Sequence, residues 1–239
     1  MQTIKHALTG LAAFASLTFA APAWADAITL DSNSIGDSFT VNFDGFSGGT
    51  SIDGLASSAT FTLTGITSTG YVFDYSVSNT TSGSLDSRVS SFAFDVDPGI
   101  VDASSTGAFS YSVLSSKYPN GIGTVDVCFK GGDSNSCGGN SGGVLTGDTG
   151  TGSLTLGFDA APEAITISDF FVRYQSISGA GNITSASGAG TISSSSSSSS
   201  SGGTPVPEPG MIGILGLGLA GLAFARRRPR RGTAHPATA

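Results

Sequence analysis

The feature that most limits the fold of this chain is an alternation of large apolar and small polar residues. Phe39, Val41 and Phe43 alternate with Thr40 and Asn42. The same period of two returns at residues 61–63, 71–77, 92–96, 109–113, 125–129, 154–158, 165–167 and 170–174. Successive side chains of a β-strand point to opposite faces of a sheet, so this pattern predicts about eight to ten strands, each with one buried face.

Turn signals separate these segments and support the same interpretation. The dipeptides Asp44-Gly45, Asp53-Gly54, Pro98-Gly99 and Asn120-Gly121 are typical of turns. No segment of useful length shows the period of an α-helix. We therefore expect residues 26–178 to form an all-β domain, an antiparallel two-sheet sandwich that is jelly-roll-like.

The N-terminus has the organisation of a secretory signal peptide, which we assign to residues 1–25. Lys5 provides the basic start, residues 7–20 form a short apolar core, and Ala23 and Ala25 flank Trp24 in an A-x-A cleavage site. The mature protein is then expected to begin at Asp26, outside the cytoplasm.

The region that follows the predicted domain has a different composition. Residues 179–204 are rich in Gly and Ser, and residues 193–201 are an unbroken run of serines. Such a composition offers few large apolar side chains for burial, so we expect a flexible linker.

The end of the chain combines a proline-rich motif, an uncharged apolar segment and an arginine cluster. These are Val206, Pro207, Glu208 and Pro209; residues 210–225; and Arg226, Arg227 and Arg228. As a helix, the apolar segment would span about 24 Å, slightly less than a ~30 Å hydrocarbon core, and the arginines favour a cytoplasmic C-terminus. We expect a single transmembrane helix at residues 210–225.

This order of parts, across residues 205–239, resembles the PEP-CTERM sorting signal of exported proteins in Gram-negative bacteria. The resemblance implies recognition by exosortase, a membrane-embedded transpeptidase-like enzyme, and cleavage near Pro207-Glu208-Pro209. It further implies an inner-membrane-anchored precursor that later reaches the cell surface or the extracellular matrix. In that family the context is exopolysaccharide and biofilm.

The charge and the rare residues of the mature region exclude several classes of function. Residues 26–205 hold four basic and sixteen acidic residues, a formal charge of −12, which disfavours nucleic-acid binding. Both histidines, His6 and His235, and the single tryptophan, Trp24, lie in the terminal segments. Ser-His-Asp catalysis and histidine-ligated metal sites are thereby excluded from the mature region. We expect no enzymatic activity and no cofactor.

Cys128 and Cys137 are the two cysteines of the chain. In an exported protein a lone pair of cysteines usually forms a disulfide, and neither a C-x-x-C spacing nor a helix N-terminus suggests a redox site. We predict that Cys128 and Cys137 are joined.

Short stretches around the cysteines carry a second resemblance. Residues 127–129, 136–144 and 170–177 resemble a subset of PEP-CTERM proteins, the cistern group. That group implies no particular activity.

Carboxylates leave two alternative functions open. Asp95 and Asp97 lie two apart on a predicted strand and therefore share a face. Asp31, Asn33 and Gly36 form part of a calcium-loop pattern, which lacks the acidic twelfth position. In so acidic a domain, chance adjacency explains both. The alternatives are a carboxylate-based glycan hydrolase or lyase and a calcium-dependent, adhesin-like binding module.

Overall fold

The structure of this protein is a computed structural model that describes residues 26–139 and 141–196. The expected signal peptide (residues 1–25), the sorting tail (205–239) with its apolar segment (210–225) and the linker residues from 197 onward lie outside the described residues. Within the described ranges, no helix is long and apolar enough to cross a membrane.

The described residues form twelve strands and two short 3₁₀ helices, Ser32–Ser34 and Gly107–Phe109. The strands are β1 (Ile28–Asp31), β2 (Ser38–Ser47), β3 (Thr50–Ile66), β4 (Gly70–Asn79), β5 (Asp86–Asp97), β6 (Asp102–Ser105), β7 (Tyr111–Tyr118), β8 (Gly123–Lys130), β9 (Val144–Leu145), β10 (Thr149–Gly157), β11 (Ala164–Ser178) and β12 (Ser185–Ser196).

The strands pair in the order β6-β10-β4-β3-β2-β12-β11-β5-β8-β7, with β1 on β11 and β9 on β5. Every pairing is antiparallel, which confirms the predicted antiparallel all-β fold. We expected two separate sheets, whereas the hydrogen bonds form one continuous sheet. Register shifts interrupt the β11–β5, β12–β2, β2–β3 and β3–β4 pairings. Such bulges bend strands and increase twist, so one sheet can fold over without breaking.

The sheet closes around a single main core, which the aromatic contacts define. Phe61 on β3 lies against Phe92 and Phe94 on β5, with ring centroids 5.5 and 6.1 Å apart, although three strands separate β3 from β5 in the sheet. The two end strands also meet, because the Ser112 hydroxyl on β7 donates to the Ala103 carbonyl on β6 over 2.6 Å. Most of the alternating apolar residues in the sequence lie in this core.

Strand β7 departs from the predicted alternation of Phe109, Tyr111 and Val113. Phe109 is buried but belongs to a 3₁₀ helix, Tyr111 is 41 % exposed, and Tyr118 at the other end of β7 is buried. Ser115 has a φ of 47°, which interrupts the regular strand between them. A period of two holds only while the backbone stays extended, so the face assignment changes at this residue.

Two predicted turns lie within strands instead. Asp44-Gly45 belongs to β2 and Asp53-Gly54 to β3, while the β2–β3 connection is Gly48-Gly49, with φ values of 56° and 79°. Gly45 sits where the side chain of Leu55 packs directly against the backbone, so a Cβ there would collide with it. This glycine reflects close packing rather than a turn.

Strand β12 corrects the expected domain boundary. Ser185–Ser196 falls inside the region 179–204 that we expected to be a flexible linker, yet it pairs with β2 on one side and β11 on the other. Its small residues suit this central position, because a Cβ at Gly190 would come within 2.5 Å of Val41 and 2.7 Å of Phe170. The β-domain therefore extends beyond residue 178 to Ser196.

Candidate functional site

The outer face of β5, β8 and β11 is covered by a loop, residues 131–139 and 141–143, which we call the clasp loop. Beneath it lies a second, smaller apolar cluster, separate from the main core and made of Ala93, Tyr118, Val125, Cys128 and Cys137, with Ile122 and Phe171 against it. Successive strand residues alternate between the two layers: Phe92 belongs to the main core and Ala93 to the second cluster. This part of the sheet is consequently buried on both faces.

The predicted disulfide is present and holds the clasp loop to the sheet. Cys128 on β8 and Cys137 in the loop are bonded, with Cα atoms 6.0 Å apart, and both are fully buried. The Ser91 hydroxyl donates to the Cys137 carbonyl over 3.1 Å, so β5 contacts the loop at the same point. The described residues include no free cysteine.

Arg173 on β11 is buried with neutral partners. Its guanidinium donates to the Ala186 carbonyl (3.0 Å) and the Ser185 hydroxyl (2.8 Å), both on β12. The side chain is 7 % exposed and Nε has no hydrogen-bond partner. Burial lowers the pKa of Arg173, and the nearby Tyr118 hydroxyl opposes this shift. The guanidinium therefore links β12 to the part of the sheet that the clasp loop covers, which we call the covered layer.

Two more polar side chains are buried in the same layer. The Tyr118 hydroxyl lies 3.1 Å from the Ser91 hydroxyl, and burial raises the pKa of this phenol. Lys130 is 3 % exposed, its ammonium donates to the carbonyl and the hydroxyl of Ser134, and burial lowers its pKa. Lys130 therefore links β8 to the clasp loop, whereas Tyr118 links β7 to β5.

The stretches that resemble the cistern group meet in this covered layer. Residues 127–129 lie on β8, 136–144 lie largely in the clasp loop, and 170–177 lie on β11. The Gln175 amide donates to the Gly138 carbonyl over 3.0 Å. A Cβ at Gly142 would collide with the backbone of Gly131. Contacts of the clasp loop therefore explain Gln175 and Gly142 in these stretches.

The carboxylates singled out in the sequence have other partners than expected. Asp95 interacts with Asp126 on the neighbouring strand β8, whose N–H donates to the Asp95 carboxylate over 2.9 Å, while Asp97 is exposed at the end of β5. Burial raises the pKa of Asp95, with further upward contributions from the charges of Asp126 and Asp169, and the Asp126 N–H opposes the shift. Sequence reasoning missed Asp126 because 31 residues separate it from Asp95.

Asp31, from the partial calcium-loop pattern, caps a 3₁₀ helix. Its carboxylate accepts hydrogen bonds from the Asn33 N–H (2.8 Å) and the Asn33 amide (3.2 Å), and the Asn33 N–H is the first cause of its lowered pKa. Ser34 completes a capping box. In the described part of the chain, no group of three or more His, Cys, Asp or Glu residues could hold a metal ion.

The outer face of β2, β3, β4 and β10 is uncovered and carries short polar side chains, which we call the hydroxyl face. Cross-strand register arranges it as three rows of four: Ser38, Thr62, Asp74 and Ser153; Thr40, Thr60, Ser76 and Thr151; and Asn42, Ser58, Ser78 and Thr149. All twelve are partly or fully exposed. Neighbouring side chains are hydrogen-bonded, as in Thr40–Thr60 (2.9 Å) and Ser78–Thr149 (2.7 Å).

Comparison with known proteins identifies the tail. The family model of the PEP-CTERM protein-sorting motif matches residues 205–229. The matched range includes the Pro-Glu-Pro sequence and Arg226, Arg227 and Arg228, all outside the described residues. No curated protein and no solved structure matches this chain. The motif implies export and a membrane-anchored precursor in a Gram-negative bacterium. This chain therefore carries a PEP-CTERM protein-sorting motif, which supports an exported protein that is sorted by exosortase.

Proposed function

We propose that this chain is a non-enzymatic protein of the cell surface or extracellular matrix, where its β-domain contacts exopolysaccharide of a biofilm. The sorting motif at residues 205–229 carries the proposal, because it directs the chain to export. A cleaved signal peptide at residues 1–25 and a membrane helix at 210–225 would hold the β-domain outside the cytoplasmic membrane until exosortase releases it.

The side chains of the β-domain support a contact role. The aromatic residues mostly pack against one another in the core, and Tyr111 is the one described aromatic side chain that is exposed. Asp95 and Asp31 are hydrogen-bonded to the backbone, which explains their positions without a ligand. The hydroxyl face presents mainly short hydroxyl and amide groups to a partner, and such groups can form hydrogen bonds with a hydrated polymer.

The sorting step is tested by intact-mass analysis of the full chain, expressed in a Gram-negative host that has an exosortase. We expect released protein to begin at Asp26 and to lack the apolar segment and the arginines. The matched control is Glu208→Ala, which alters the motif but neither the helix nor the charge cluster. It should remain in the membrane fraction with its tail. Released protein that still ends at Ala239 would contradict the proposal.

One observation favours a second candidate, a carboxylate-based glycan hydrolase or lyase. Asp95 has a raised pKa beside Asp126 and Asp169, and a carboxyl group with a raised pKa can act as a general acid. The test incubates the exported protein with polysaccharides and measures new reducing ends, in parallel with Asp95→Asn and Asp126→Asn. Cleavage by the parent and not by these variants would establish the enzyme and reject the non-enzymatic proposal.

A further inference from the structure

The two outer faces of the sheet differ in what already covers them. The face of β5, β8 and β11 lies under the clasp loop, whereas the hydroxyl face of β2, β3, β4 and β10 has no such cover within the described chain. We propose that the hydroxyl face is the surface that binds polysaccharide, and that its partner is an uncharged, hydroxyl-rich glycan chain. This inference rests on the proposed function.

The hydroxyl face is a regular grid. Its three rows cross four strands without a register shift, since the shifts of these pairings fall at Asp44/Phe46 and Leu63/Gly65, outside the rows. Adjacent strands lie about 4.8 Å apart, and same-face residues along a strand are about 6.6–6.8 Å apart. A glycan laid along a row therefore meets a polar group at every strand, and neighbouring rows can bind parallel chains.

Four hydrogen-bonded pairs order side chains of the grid. Ser38 is hydrogen-bonded to Thr62 over 2.7 Å, and the Ser153 hydroxyl donates to Asp74 over 2.7 Å. A hydroxyl group has one donor and two acceptor positions, so a grid residue bonded to its neighbour can still bond to a ligand. Threonine also has a restricted χ1 and a methyl group that can contact the C–H groups of a sugar. Binding then requires little additional ordering of the protein.

The charges of the grid and of the mature region indicate which class of polysaccharide this face can bind. The grid contains no lysine or arginine, and Asp74 is its single acidic residue. The mature region has a formal charge of −12, which repels acidic polymers. The grid also lacks large apolar side chains that would favour a protein partner. An uncharged chain of hydroxyl groups matches both the hydrogen-bonding capacity and the charge of this face, and repetition along the polymer compensates for weak individual contacts.

The test replaces the threonines of the middle row with valine, an isosteric residue of high strand propensity. The variant Thr40→Val/Thr60→Val/Thr151→Val removes three hydroxyls from the grid. The matched control is Thr29→Val/Thr166→Val, which removes a hydrogen-bonded pair (3.0 Å) from β1 and β11, away from the grid. Exported protein is assayed by co-sedimentation and calorimetry with uncharged dextran, amylose and galactomannan and with acidic alginate, with and without Ca²⁺. Circular dichroism verifies the fold of each variant.

We expect the parent and the control to bind at least one uncharged polysaccharide, and the triple variant to bind it about tenfold more weakly or worse, since each hydroxyl contributes a net hydrogen bond. If the folded triple variant binds as well as the parent, the assignment to the hydroxyl face is wrong while the proposed function stands. Preferential binding of alginate, or binding that requires Ca²⁺, also overturns the assignment. If the parent binds no polysaccharide, both the assignment to the hydroxyl face and the proposed function are wrong.

Discussion

The carboxylates of Asp95 and Asp126 each accept a backbone hydrogen bond from the neighbouring strand at the end of a strand pair. The Asp126 N–H donates to the Asp95 carboxylate over 2.9 Å, and the Asp126 carboxylate accepts from the N–H of Val96 over 2.9 Å. The pairing of β5 with β8 ends one position earlier, at Phe94 and Val127. The two carboxylates thus satisfy backbone donors where the strands diverge, and this explains two partly buried acids close together.

The first prediction concerns the pH dependence of stability at Asp95. Its pKa is raised in the folded state, first by burial, so the protonated form is favoured by folding. The resulting stabilisation is present at pH values below the unfolded pKa, 3.8, and is lost as the pH rises through the folded pKa. Asp95→Asn is always neutral and can still accept from the Asp126 N–H. The melting temperature of Asp95→Asn minus that of the parent should be more positive at pH 7 than at pH 3.

Thermal unfolding followed by circular dichroism at both pH values measures this difference. The control, Asp97→Asn, removes an exposed charge from the same strand and reports the effect of net charge alone. If Asp95→Asn loses stability relative to the parent on going from pH 3 to pH 7, the assigned direction is wrong.

The second prediction is that Arg173 cannot be replaced by lysine. One ammonium cannot hold both the Ala186 carbonyl and the Ser185 hydroxyl in the geometry of a guanidinium. Arg173→Lys should lower the free energy of unfolding by about 1.5–3 kcal/mol, measured by urea denaturation. Arg88→Lys, at a partly exposed position on β5, is the control and should cost less than about 1 kcal/mol. Equal losses at the two positions would show that burial of Arg173 does not matter.

The third prediction concerns the clasp loop. The disulfide closes a short loop with a sequence separation of nine, and its removal in Cys128→Ala/Cys137→Ala should cost about 2–3 kcal/mol in the chain-entropy model. Hydrogen exchange should become faster in residues 131–143, while β3 and β4 keep their protection. The parent treated with a reductant should behave in the same way. Free thiols in non-reducing peptide maps of exported protein would contradict the bond itself.

The fourth prediction tests why β12 is made of small residues. A Cβ at Gly190 would come within 2.7 Å of the ring of Phe43 and the Cβ of Phe170, so Gly190→Ala should destabilise the domain by about 1–3 kcal/mol. Gly65 on β3 serves as the control, because a Cβ added there would meet no atom of a non-adjacent residue within 4 Å. Gly65→Ala should be neutral or slightly stabilising. Chemical denaturation measures both, and a neutral Gly190→Ala would show that β12 is loosely packed.

Strand content was readable from the sequence because it depends on local periodicity. Residues such as Phe39, Val41 and Phe43 are buried as their alternation predicts. The same rule misplaced Tyr111, since Phe109 before it belongs to a 3₁₀ helix, and this departure from extended backbone cannot be seen in a hydrophobicity pattern. It also missed β12, because a strand without large side chains has no periodic signal and is stabilised by neighbours on both sides.

The candidate sites also divide into those that the local sequence predicted and those that only the pairing of distant strands brings together. The sorting motif is a linear sequence, and its order of parts was sufficient to recognise it. The disulfide followed from cysteine count and compartment. The Asp95–Asp126 pair, the buried Arg173 and the hydroxyl face each combine residues from different strands, whose register no single segment encodes.

The sequence by itself determined that this chain carries a PEP-CTERM sorting motif, which implies export, and that its middle part is an antiparallel β-fold, because these properties depend on local order and composition. Only the tertiary structure decided that the sheet is continuous, that β12 completes it, and that one outer face is covered while the other presents ordered hydroxyls. Those outcomes depend on which distant segments pair and on how bulges bend the sheet, and these are set by packing across the whole domain.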